Sequence, residues 1–291
     1  ERLAEVDHVV FDKTGVLTEG RPRLIEAPAQ AVALAAPLAR ASAHPLARAL
    51  AAEAGPGLRA TDVVETPGQG VEGLIDGRRA RLGRASFVGL DGVRGGETEL
   101  WFAFEGDTRV RFSDQLRPDA AQTIADLRAL GLTVEILSGD LEGPVAGAAQ
   151  TLHVDQWRSG QTPQDKAAEI DALTAQGRKV LMVGDGLNDT AALAKAHAAM
   201  APGAALDASQ NAADLVFSGE ALSAVADSIR VARAARSRAL ENFGFSALYN
   251  LGAIPLAMLG FVNPLIAALA MSGSSLVVTL NALRMHGAGR R

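Results

Sequence analysis

The chain of 291 residues contains no cysteine, so disulfides and thiolate metal ligands are excluded within it. It also lacks an excess of basic residues, and its formal charge of -5 gives no indication of nucleic-acid binding. No signal peptide is visible, and the first residue is Glu1 instead of Met, so a fragment of a longer protein is expected. Apolar residues are abundant at 48%, which is high for a wholly soluble protein, and the length allows two or more domains.

An aspartate follows the first apolar strand, at residues 9–11. A carboxylate at the carboxyl end of a buried strand is placed to attack a phosphoryl group. Residues 12–18, DKTGVLT, resemble the DKTGT phosphorylation motif of P-type ATPases, with Val16 in place of the usual threonine. In the related haloacid dehalogenase phosphatases a second aspartate lies two positions after the nucleophile, where this chain has Thr14. Without that acid–base group, an aspartyl phosphate should persist through a conformational change.

Apolar strands alternate with helices in the outer parts of the chain. Further strands are predicted at residues 132–137 and 180–183, and Pro118 suits the first turn of a helix that Gly131 ends. This alternation predicts a parallel sheet with right-handed crossovers, which gathers ligands at the carboxyl ends of its strands. The expected fold class is α/β: a haloacid-dehalogenase-like Rossmannoid phosphorylation domain, an inserted α+β nucleotide-binding domain and a C-terminal transmembrane helical hairpin.

Three strands of the predicted sheet end in polar loops that should converge. Phosphoryl transfer needs a nucleophile, a cation for the phosphate and donors for its oxygens. The resemblance implies these catalytic residues: Asp12, Ser138 and Asp140 of the TGD-like motif, Lys166 of the P-x-D-K-like segment, and Asn188 of the GDGxND match. It implies a Mg²⁺ site at Asp12, the Thr14 backbone, Asp185 and Asp189. Taken alone, Lys166 is best interpreted as a solvated lysine at a helix start. The TGD-like and GDGxND loops in register with it favour instead a role in holding the phosphate.

Breaks in the pattern predict the domain organisation. The phosphorylation domain comprises residues 1–21 and 108–229, the inserted nucleotide-binding domain residues 22–107, and the membrane hairpin residues 230–291. Within the inserted domain, helices are predicted at 29–38 and 45–54, and strands at 62–65, 70–75, 78–82 and 99–104. A strand at 109–112 is predicted to return the chain to the first domain.

Residues 42–46, SAHPL, resemble the S-E-H-P-L element of the heavy-metal branch of P-type ATPases, in which the histidine helps to position ATP. Residues 67–73, PGQGVEG, are similar to that branch's G-x-G-V-x-G loop, where absent side chains let the backbone approach the nucleotide. The implied ATP-binding residues are His44, Gly68, Gly70 and Gly83. Two departures stand out: Ala43 replaces the glutamate before the histidine, and residues 82–84 read LGR where the branch has Gly-Asn.

Two uncharged spans, residues 243–260 and 264–283, approach the roughly 20 residues that a membrane-crossing helix needs. The flanking arginines are Arg230, Arg233, Arg236, Arg238, Arg284, Arg290 and Arg291. Their placement predicts that both termini and the catalytic domains lie in the cytoplasm. We therefore expect a multi-pass protein of a bacterial inner or plasma membrane, with membrane lipid as a partner. A buried helical hairpin in a soluble protein is the alternative.

Polar residues inside these spans are few, and each is costly in hydrocarbon unless it faces a pathway or a partner. Residues 249–255 and 271–275 resemble the Y-N-x4-P and M-x-x-S-S elements of Cu(I)-transporting members. A thioether is a soft ligand that suits Cu(I), whereas Mg²⁺ prefers carboxylates, which the spans lack. The implied ligands of transported Cu(I) are Tyr249, Asn250, Met271 and Ser275. Residues 200–202, MAP, and 211–214, NAAD, resemble the pumps that supply copper for cytochrome oxidase assembly.

The resemblance covers nearly the whole chain and implies the catalytic and C-terminal portion of an ATP-driven Cu(I) export pump. ATP and Mg²⁺ are the expected cofactors, and a copper chaperone is an expected source of the metal. An actuator domain, six earlier helices and metal-binding domains are implied in a preceding part, without which the chain should not transport. Three alternatives stay open: a Zn²⁺ or Co²⁺ pump, a membrane-anchored phosphatase of the haloacid dehalogenase type, and a non-catalytic nucleotide- or metal-binding module.

Overall fold

The computed structural model describes residues 1–90, 98–104, 106–203, 205, 207–218 and 221–284; Arg290 and Arg291 lie outside them. The strands are β1 (His8–Phe11), β2 (Thr18–Glu26), β3 (Thr61–Thr66), β4 (Gly70–Ile75), β5 (Arg78–Gly83), β6 (Glu99–Ala103), β7 (Asp107–Leu116), β8 (Thr133–Leu137), β9 (Gln156–Arg158), β10 (Val180–Val183), β11 (Ala198–Pro202) and β12 (Leu215–Phe217). The helices are α1 (Arg2–Glu5), α2 (Ala29–Ala39), α3 (Pro45–Ala54), α4 (Ala85–Val88), α5 (Ala120–Ala129), α6 (Glu142–Thr151), α7 (Pro163–Ala175), α8 (Thr190–Lys195), α9 (Asp207–Ala212), α10 (Ala224–Met258) and α11 (Pro264–Leu283).

The first sheet is parallel and has the strand order β12-β11-β10-β1-β8-β9, as the alternating pattern predicts. Its central strand β1 is buried on both faces: Val9 and Phe11 pack into one apolar cluster and Val10 into another. Both faces are covered by helices, which explains the continuous apolar runs in these strands. Because β1, β8 and β10 are parallel neighbours, the loops that follow them meet at one edge of the sheet.

The second sheet is antiparallel, in the order β2-β7-β6-β5-β4-β3. Leu82 and Phe102 on one face pack with Leu38 of α2 and Leu50 of α3, forming a separate apolar core. The helices and strands predicted between residues 29 and 104 are all present, within about one residue of the expected ends. An α+β unit with its own core is therefore inserted after the first strand of the parallel sheet.

The strand predicted at residues 109–112 does not join the parallel sheet. It lies within β7, which pairs antiparallel with β2 from Thr18 opposite Leu116 to Glu26 opposite Arg111. The domain limits placed at 21/22 and 107/108 therefore fall inside these two strands. The chain therefore enters and leaves the inserted unit through a ribbon of two paired strands and not through two separate linkers. The physical reason is that each strand supplies hydrogen-bond partners for the other's backbone. The inserted unit is attached to the first sheet through this ribbon.

Helix α10 is 35 residues long and begins in the core of the first domain, where Val225 and Ile229 are fully buried. It ends in a Schellman motif: Gly260 has φ of 77°, and the Phe261 N–H donates to the Leu256 carbonyl at 3.1 Å. Asn263 then caps α11 by accepting a hydrogen bond from the Ile266 N–H at 2.9 Å.

Among the described helices, α11 alone is long and apolar enough to cross a membrane, judged by length and composition. The predicted span at residues 243–260 does not meet that measure. Gly260 terminates α10, so only residues 243–258 of that apolar span are helical. The two helices are antiparallel and joined at their far ends, since the Asn281 amide donates to Glu241 at 3.1 Å and to Asn242 at 2.9 Å.

Gly70 and Gly83 face each other on neighbouring strands, and each is required by packing. A Cβ at Gly70 would lie 2.6 Å from the Leu82 carbonyl oxygen and 2.6 Å from the Phe87 ring. One at Gly83 would lie 2.4 Å from the Gln69 carbonyl oxygen. The absence of side chains at these positions therefore lets the strands and the Phe87 ring meet.

We expect Gly70→Ala to lower the free energy of unfolding by about 1–3 kcal/mol, as overpacking does, with no nucleotide present. Thermal unfolding of the purified protein measures this change. Gly147→Ala is the matched control, because Gly147 is exposed within α6 with open space around it, and alanine favours helix there. Unchanged unfolding in Gly70→Ala, together with weaker ATP binding, would assign Gly70 to nucleotide contact instead.

Candidate active site

The site lies at the carboxyl edge of the parallel sheet. Asp12 follows β1 directly and is only 6% exposed, and its N–H donates to the Val183 carbonyl at 2.9 Å. Ser138 follows β8 and is also buried, and Asp185 follows β10 at intermediate depth. The three loops therefore converge as the order of the strands requires.

Lys166 reaches this edge from the first turn of α7. Thr162 and Asp165 form a capping box: the Thr162 hydroxyl accepts from the Asp165 N–H at 3.2 Å, and the Asp165 carboxylate accepts from the Thr162 N–H at 3.0 Å. The Lys166 ammonium donates to Asp12 Oδ1 at 2.6 Å and to Asp189 Oδ1 at 2.7 Å. At 3% exposure this lysine is buried, so the reading of Lys166 as a solvated residue is wrong.

Asp12, Asp185 and Asp189 each present a carboxylate oxygen, and these oxygens all lie within 4.8 Å of one another. Two glycines let the carboxylates approach so closely. A Cβ at Gly15 would lie 1.6 Å from Asp185 Oδ2, and one at Gly184 would lie 2.6 Å from the Asp189 side chain. A cluster of hard oxygen donors fits a hard divalent cation such as Mg²⁺, which is the group expected here.

The cluster contains three carboxylates and one buried ammonium, which pairs with Asp12 and Asp189. Burial, together with the Asp189 charge, raises the pKa of Asp12 to about 7, and Lys166 only partly opposes this increase. Burial and Asp189 also raise the pKa of Asp185 to about 6. Burial alone would lower the pKa of Lys166, but the attraction of Asp12 and Asp189 raises it. Without a cation the site therefore favours protonation of a carboxylate.

This charge balance predicts a pH-dependent stability for the metal-free protein. A carboxyl group whose pKa is higher in the folded state than in the unfolded state destabilises the fold as pH rises from about 4 through about 7. We therefore expect the melting temperature of wild type, measured in a chelator, to fall relative to Asp12→Asn between pH 5 and pH 8. Added Mg²⁺ should restore more stability at pH 8 than at pH 6. A difference in melting temperature between wild type and Asp12→Asn that does not change with pH would contradict the raised pKa of Asp12.

Asp140 holds the loop that follows Asp12. Its Oδ2 accepts from the Thr14 hydroxyl at 2.9 Å and lies 2.6 Å from the Lys13 ammonium, while the Ser138 hydroxyl accepts from the Asp140 N–H at 3.1 Å. Sequence reasoning assigned no role to Lys13, although the DKTG motif contains it. Asn188 is exposed, and within the described residues no hydrogen bond joins it to the carboxylates.

A cavity of about 1070 Å³ extends from the inserted unit to residues 139–141 of the catalytic edge. His44, Gly68 and Gly70, three of the predicted ATP-binding residues, line it, whereas Gly83 is not among its lining residues. His44 also caps α3, because its Nδ1 accepts from the Leu46 N–H at 3.3 Å.

Glu65 is a cavity residue that the motifs do not reveal. Its carboxylate accepts from the Ser42 hydroxyl at 2.5 Å and from the Ala43 N–H at 3.3 Å. The Ser42 hydrogen bond holds the pKa of Glu65 below its usual value. Ala43 stands where the heavy-metal motif has glutamate, and the Glu65 carboxylate lies beside it.

The four implied Cu(I) ligands do not form one closed site in the hairpin. Tyr249 is half-buried, whereas Asn250 and Ser275 are exposed and Met271 is 68% exposed. Met271 and Ser275 are four residues apart on α11 and so share one helix face. That face is exposed.

Three comparisons with known proteins agree with this geometry. The family model for haloacid dehalogenase-like hydrolases matches residues 6–197. A solved zinc-transporting PIB-type ATPase in its E2·Pi state superposes with a TM-score of 0.85 at 30% identity, covering 98% of this chain and 50% of that one.

The sequence relatives extend this match over the whole chain. The nitrogen fixation protein FixI of Bradyrhizobium diazoefficiens is 46% identical over 301 residues, and the copper-exporting P-type ATPase of Mycobacterium tuberculosis is 34% identical over 311. The chain belongs to the heavy-metal P-type ATPases. Each of the two relatives matches all of this chain, which spans 41% of their length.

Membership of the P-type ATPases confirms the fold class and the enzyme class that the motifs predicted. The haloacid dehalogenase-like family match begins just before β1 and ends before β11, so it covers β1, β8, β9 and β10 of the parallel sheet together with the inserted unit. The inserted unit and the C-terminal helices lie within the superposed region of the PIB-type ATPase, which covers nearly the whole chain. The chain therefore contains the catalytic portion of a heavy-metal P-type ATPase.

Proposed function

We propose that this chain is the catalytic and C-terminal membrane portion of an ATP-driven pump that exports Cu(I) through an aspartyl phosphate on Asp12. The observation that carries the proposal is the buried Lys166 ammonium, which lies between Asp12 and Asp189, with the Asp185 carboxylate close to both. This arrangement provides a nucleophile and a cation at one edge of the sheet. The cavity that reaches from His44 to Asp140 provides space for the nucleotide.

ATP binds with its base in the inserted unit and its triphosphate towards Asp140. Movement of that unit on the ribbon of β2 and β7 brings the γ-phosphate to Asp12. The carboxylate oxygen forms a bond to the γ-phosphorus while the bond to the β–γ bridging oxygen breaks, and ADP leaves with that oxygen. Lys166 neutralises charge on the transferred group. Mg²⁺, held by Asp12, Asp185, Asp189 and the Thr14 backbone, supplies further charge neutralisation when bound.

The aspartyl phosphate then persists because Thr14 replaces the second aspartate of the related phosphatases. Asp140 engages the Thr14 hydroxyl at 2.9 Å, so this position holds the loop together and presents no carboxylate to activate water. A persistent intermediate is what a pump requires, and it argues against a phosphatase. Intact Asp12, Lys166 and Asp185 argue against a non-catalytic module.

Copper is favoured over zinc by the chemistry of the hairpin and by the relatives. Met271 offers a soft thioether on an exposed face of α11, where carboxylates are lacking. One relative bears the name of a copper exporter, although the superposed structure is of a zinc transporter. The proposed partners are membrane lipid, a copper chaperone, and the actuator and transmembrane regions of the same protein. We place it as a multi-pass protein in a bacterial inner membrane, with its catalytic domains in the cytoplasm.

Metal dependence of the phosphoenzyme tests this proposal. The full reading frame that contains this chain is labelled with radioactive ATP in the presence of Cu(I), Zn²⁺ or Co²⁺, and hydroxylamine sensitivity identifies the acyl phosphate. We expect labelling to rise with Cu(I), and Met271→Leu to weaken that response by roughly tenfold or more, since the soft ligand is lost.

Met258→Leu is the matched control, because Met258 is an 84% exposed thioether in the same hairpin. Its Cu(I) response should equal that of wild type. Stimulation by Zn²⁺ or Co²⁺ alone would overturn the metal assignment. An absence of labelling with every metal would favour the phosphatase, if small phosphate esters are turned over, or otherwise the binding module.

A further inference from the structure

Arg117 contacts the phosphorylation loop from outside every motif discussed above. It follows β7 directly, at the point where the chain leaves the ribbon and returns to the parallel sheet. Its Nε donates to the Val16 carbonyl at 2.7 Å, and its Nη2 donates to the Gly15 carbonyl at 2.9 Å. Its backbone N–H donates to the Leu17 carbonyl at 2.8 Å. One residue therefore engages three consecutive carbonyls.

The loop needs such support because its backbone is irregular. Thr14 is extended, with φ of -75° and ψ of 127°, whereas Gly15 is left-handed, with φ of 74°, so the two together continue neither a helix nor a strand. The carbonyls of Gly15 and Val16 therefore take a side chain as their partner, and leaving a buried carbonyl unpaired costs about 1–3 kcal/mol.

The position of this loop also sets the spacing of the carboxylate cluster. Gly15 lies so close to Asp185 that a Cβ would stand 1.6 Å from Oδ2, and Asp12 is only three residues earlier. A shift of the loop by a fraction of an ångström would therefore change the separation of Asp12 and Asp185.

We propose that Arg117 is a positioning residue that fixes the phosphorylation loop against Asp185 and thereby sets the geometry of the cation site. This inference rests on the proposed phosphorylation of Asp12. Arg117 also ends the ribbon that carries the inserted unit, so it links the attachment of that unit to the loop. Thr18 Oγ1 lies at the same junction, 2.5 Å from Asp114 Oδ2 and 3.1 Å from the Lys13 carbonyl oxygen.

Arginine suits this task because its planar guanidinium donates from two fixed nitrogens at once, whereas lysine is a single point charge on a flexible stem. Arg117→Lys therefore keeps the positive charge near Asp185 and removes the paired hydrogen bonds. The variant separates geometry from charge. Arg40→Lys is the matched control, because the Arg40 guanidinium also donates to two backbone carbonyls, of Gly55 and Leu58 at 2.9 Å each, in a loop without catalytic residues.

The test uses the full reading frame and measures three quantities. We expect Arg117→Lys to raise the Mg²⁺ concentration for half-maximal phosphorylation about tenfold, as loss of a residue supporting metal ligands commonly does. The ATP concentration dependence should not change, because Arg117 does not line the nucleotide cavity. Hydrogen–deuterium exchange at the amides of residues 14–17 should accelerate about tenfold in the variant and stay unchanged in Arg40→Lys.

Wild-type exchange and wild-type Mg²⁺ dependence in Arg117→Lys would overturn the proposal, and so would an equal change in Arg40→Lys. If Arg117→Lys fails to fold, Arg117→Gln, which keeps one amide donor, is measured in the same way. If wild type itself forms no phosphoenzyme, the proposed function fails, whereas the exchange at residues 14–17 still decides whether Arg117 positions the loop.

Discussion

Asp12→Asn should abolish phosphoenzyme formation, with a loss of at least about 10⁴ in rate, as when other covalent nucleophiles are removed. The amide is nearly the same size as the carboxylate and its oxygen can still accept from Lys166, which donates to Asp12 Oδ1 at 2.6 Å. It cannot, however, act as a nucleophile towards phosphorus. The measurement is acid-stable, hydroxylamine-sensitive label from radioactive ATP under the metal condition that labels wild type.

The Asp12→Asn variant should remain folded, which distinguishes its loss of phosphoenzyme from misfolding. Because burial raises the pKa of Asp12 to about 7, its ionised form is unfavourable in the folded metal-free protein. Asp12→Asn should therefore melt at an equal or higher temperature than wild type at pH 8 without Mg²⁺. Asp155→Asn is the control, since Asp155 is exposed in the same domain, and it should label normally. Hydroxylamine-sensitive label that persists in Asp12→Asn would refute Asp12 as the nucleophile.

Lys166→Met should reduce the rate of phosphorylation by about 10²–10³, in the range found when one electrostatic donor is removed from an active site. The side chain keeps much of its length and loses its charge. Asp12 and Asp189 then lose the ammonium that lies 2.6 and 2.7 Å from them, and the incoming γ-phosphate meets three carboxylates without it. ATP binding should stay near wild type, because Lys166 does not line the nucleotide cavity.

The same substitution should lower stability in a pH-dependent way. Removing one partner from a buried ion pair commonly costs about 3–5 kcal/mol, although protonation of Asp12 would relieve part of that cost. Without the ammonium the pKa of Asp12 should rise further, because Lys166 is the group that opposes burial. The destabilisation should therefore be greater at pH 8 than at pH 6, by denaturant unfolding.

Lys195→Met provides the matched control. Lys195 pairs with Asp171 on the surface, and both side chains are substantially exposed. Loss of an exposed pair is worth about 0–1 kcal/mol, so this variant should unfold and label like wild type. Wild-type phosphorylation in Lys166→Met would show that the buried ammonium supports the fold and not the reaction.

The motifs predicted most of the catalytic edge because their information is local. Asp12 and Asp185 each follow an apolar strand, and the order of a parallel sheet brings such strand ends together without further detail. The position of Lys166 is specified by a capping box four residues long, which fixes where α7 begins. Similar reasoning predicted the helices and strands of the inserted unit.

Other features depend on contacts between residues far apart in the chain. The pairing of β7 with β2 could not be read from residues 109–112, because alternating arginines and apolar residues indicate a strand with one exposed face but do not specify its partner strand. The packing role of Gly70 and Gly83 depends on Phe87 and on the opposite strand. Glu65 beside Ala43 and Arg117 beside Gly15 lie 22 and 102 residues from their partners.

By itself, then, the sequence determined the parallel α/β core with Asp12 at the end of its first strand, the inserted unit and the apolar C-terminal helix, because strand alternation, helix caps and short motifs act over a few residues. Only the tertiary structure decided that one ammonium contacts Asp12 and Asp189 beside Asp185, which glycines are required by packing, and that Arg117 holds the loop of residues 15–17. These features arise from side chains that meet across loops and sheets, and the close packing of a folded interior sets such distances to a fraction of an ångström.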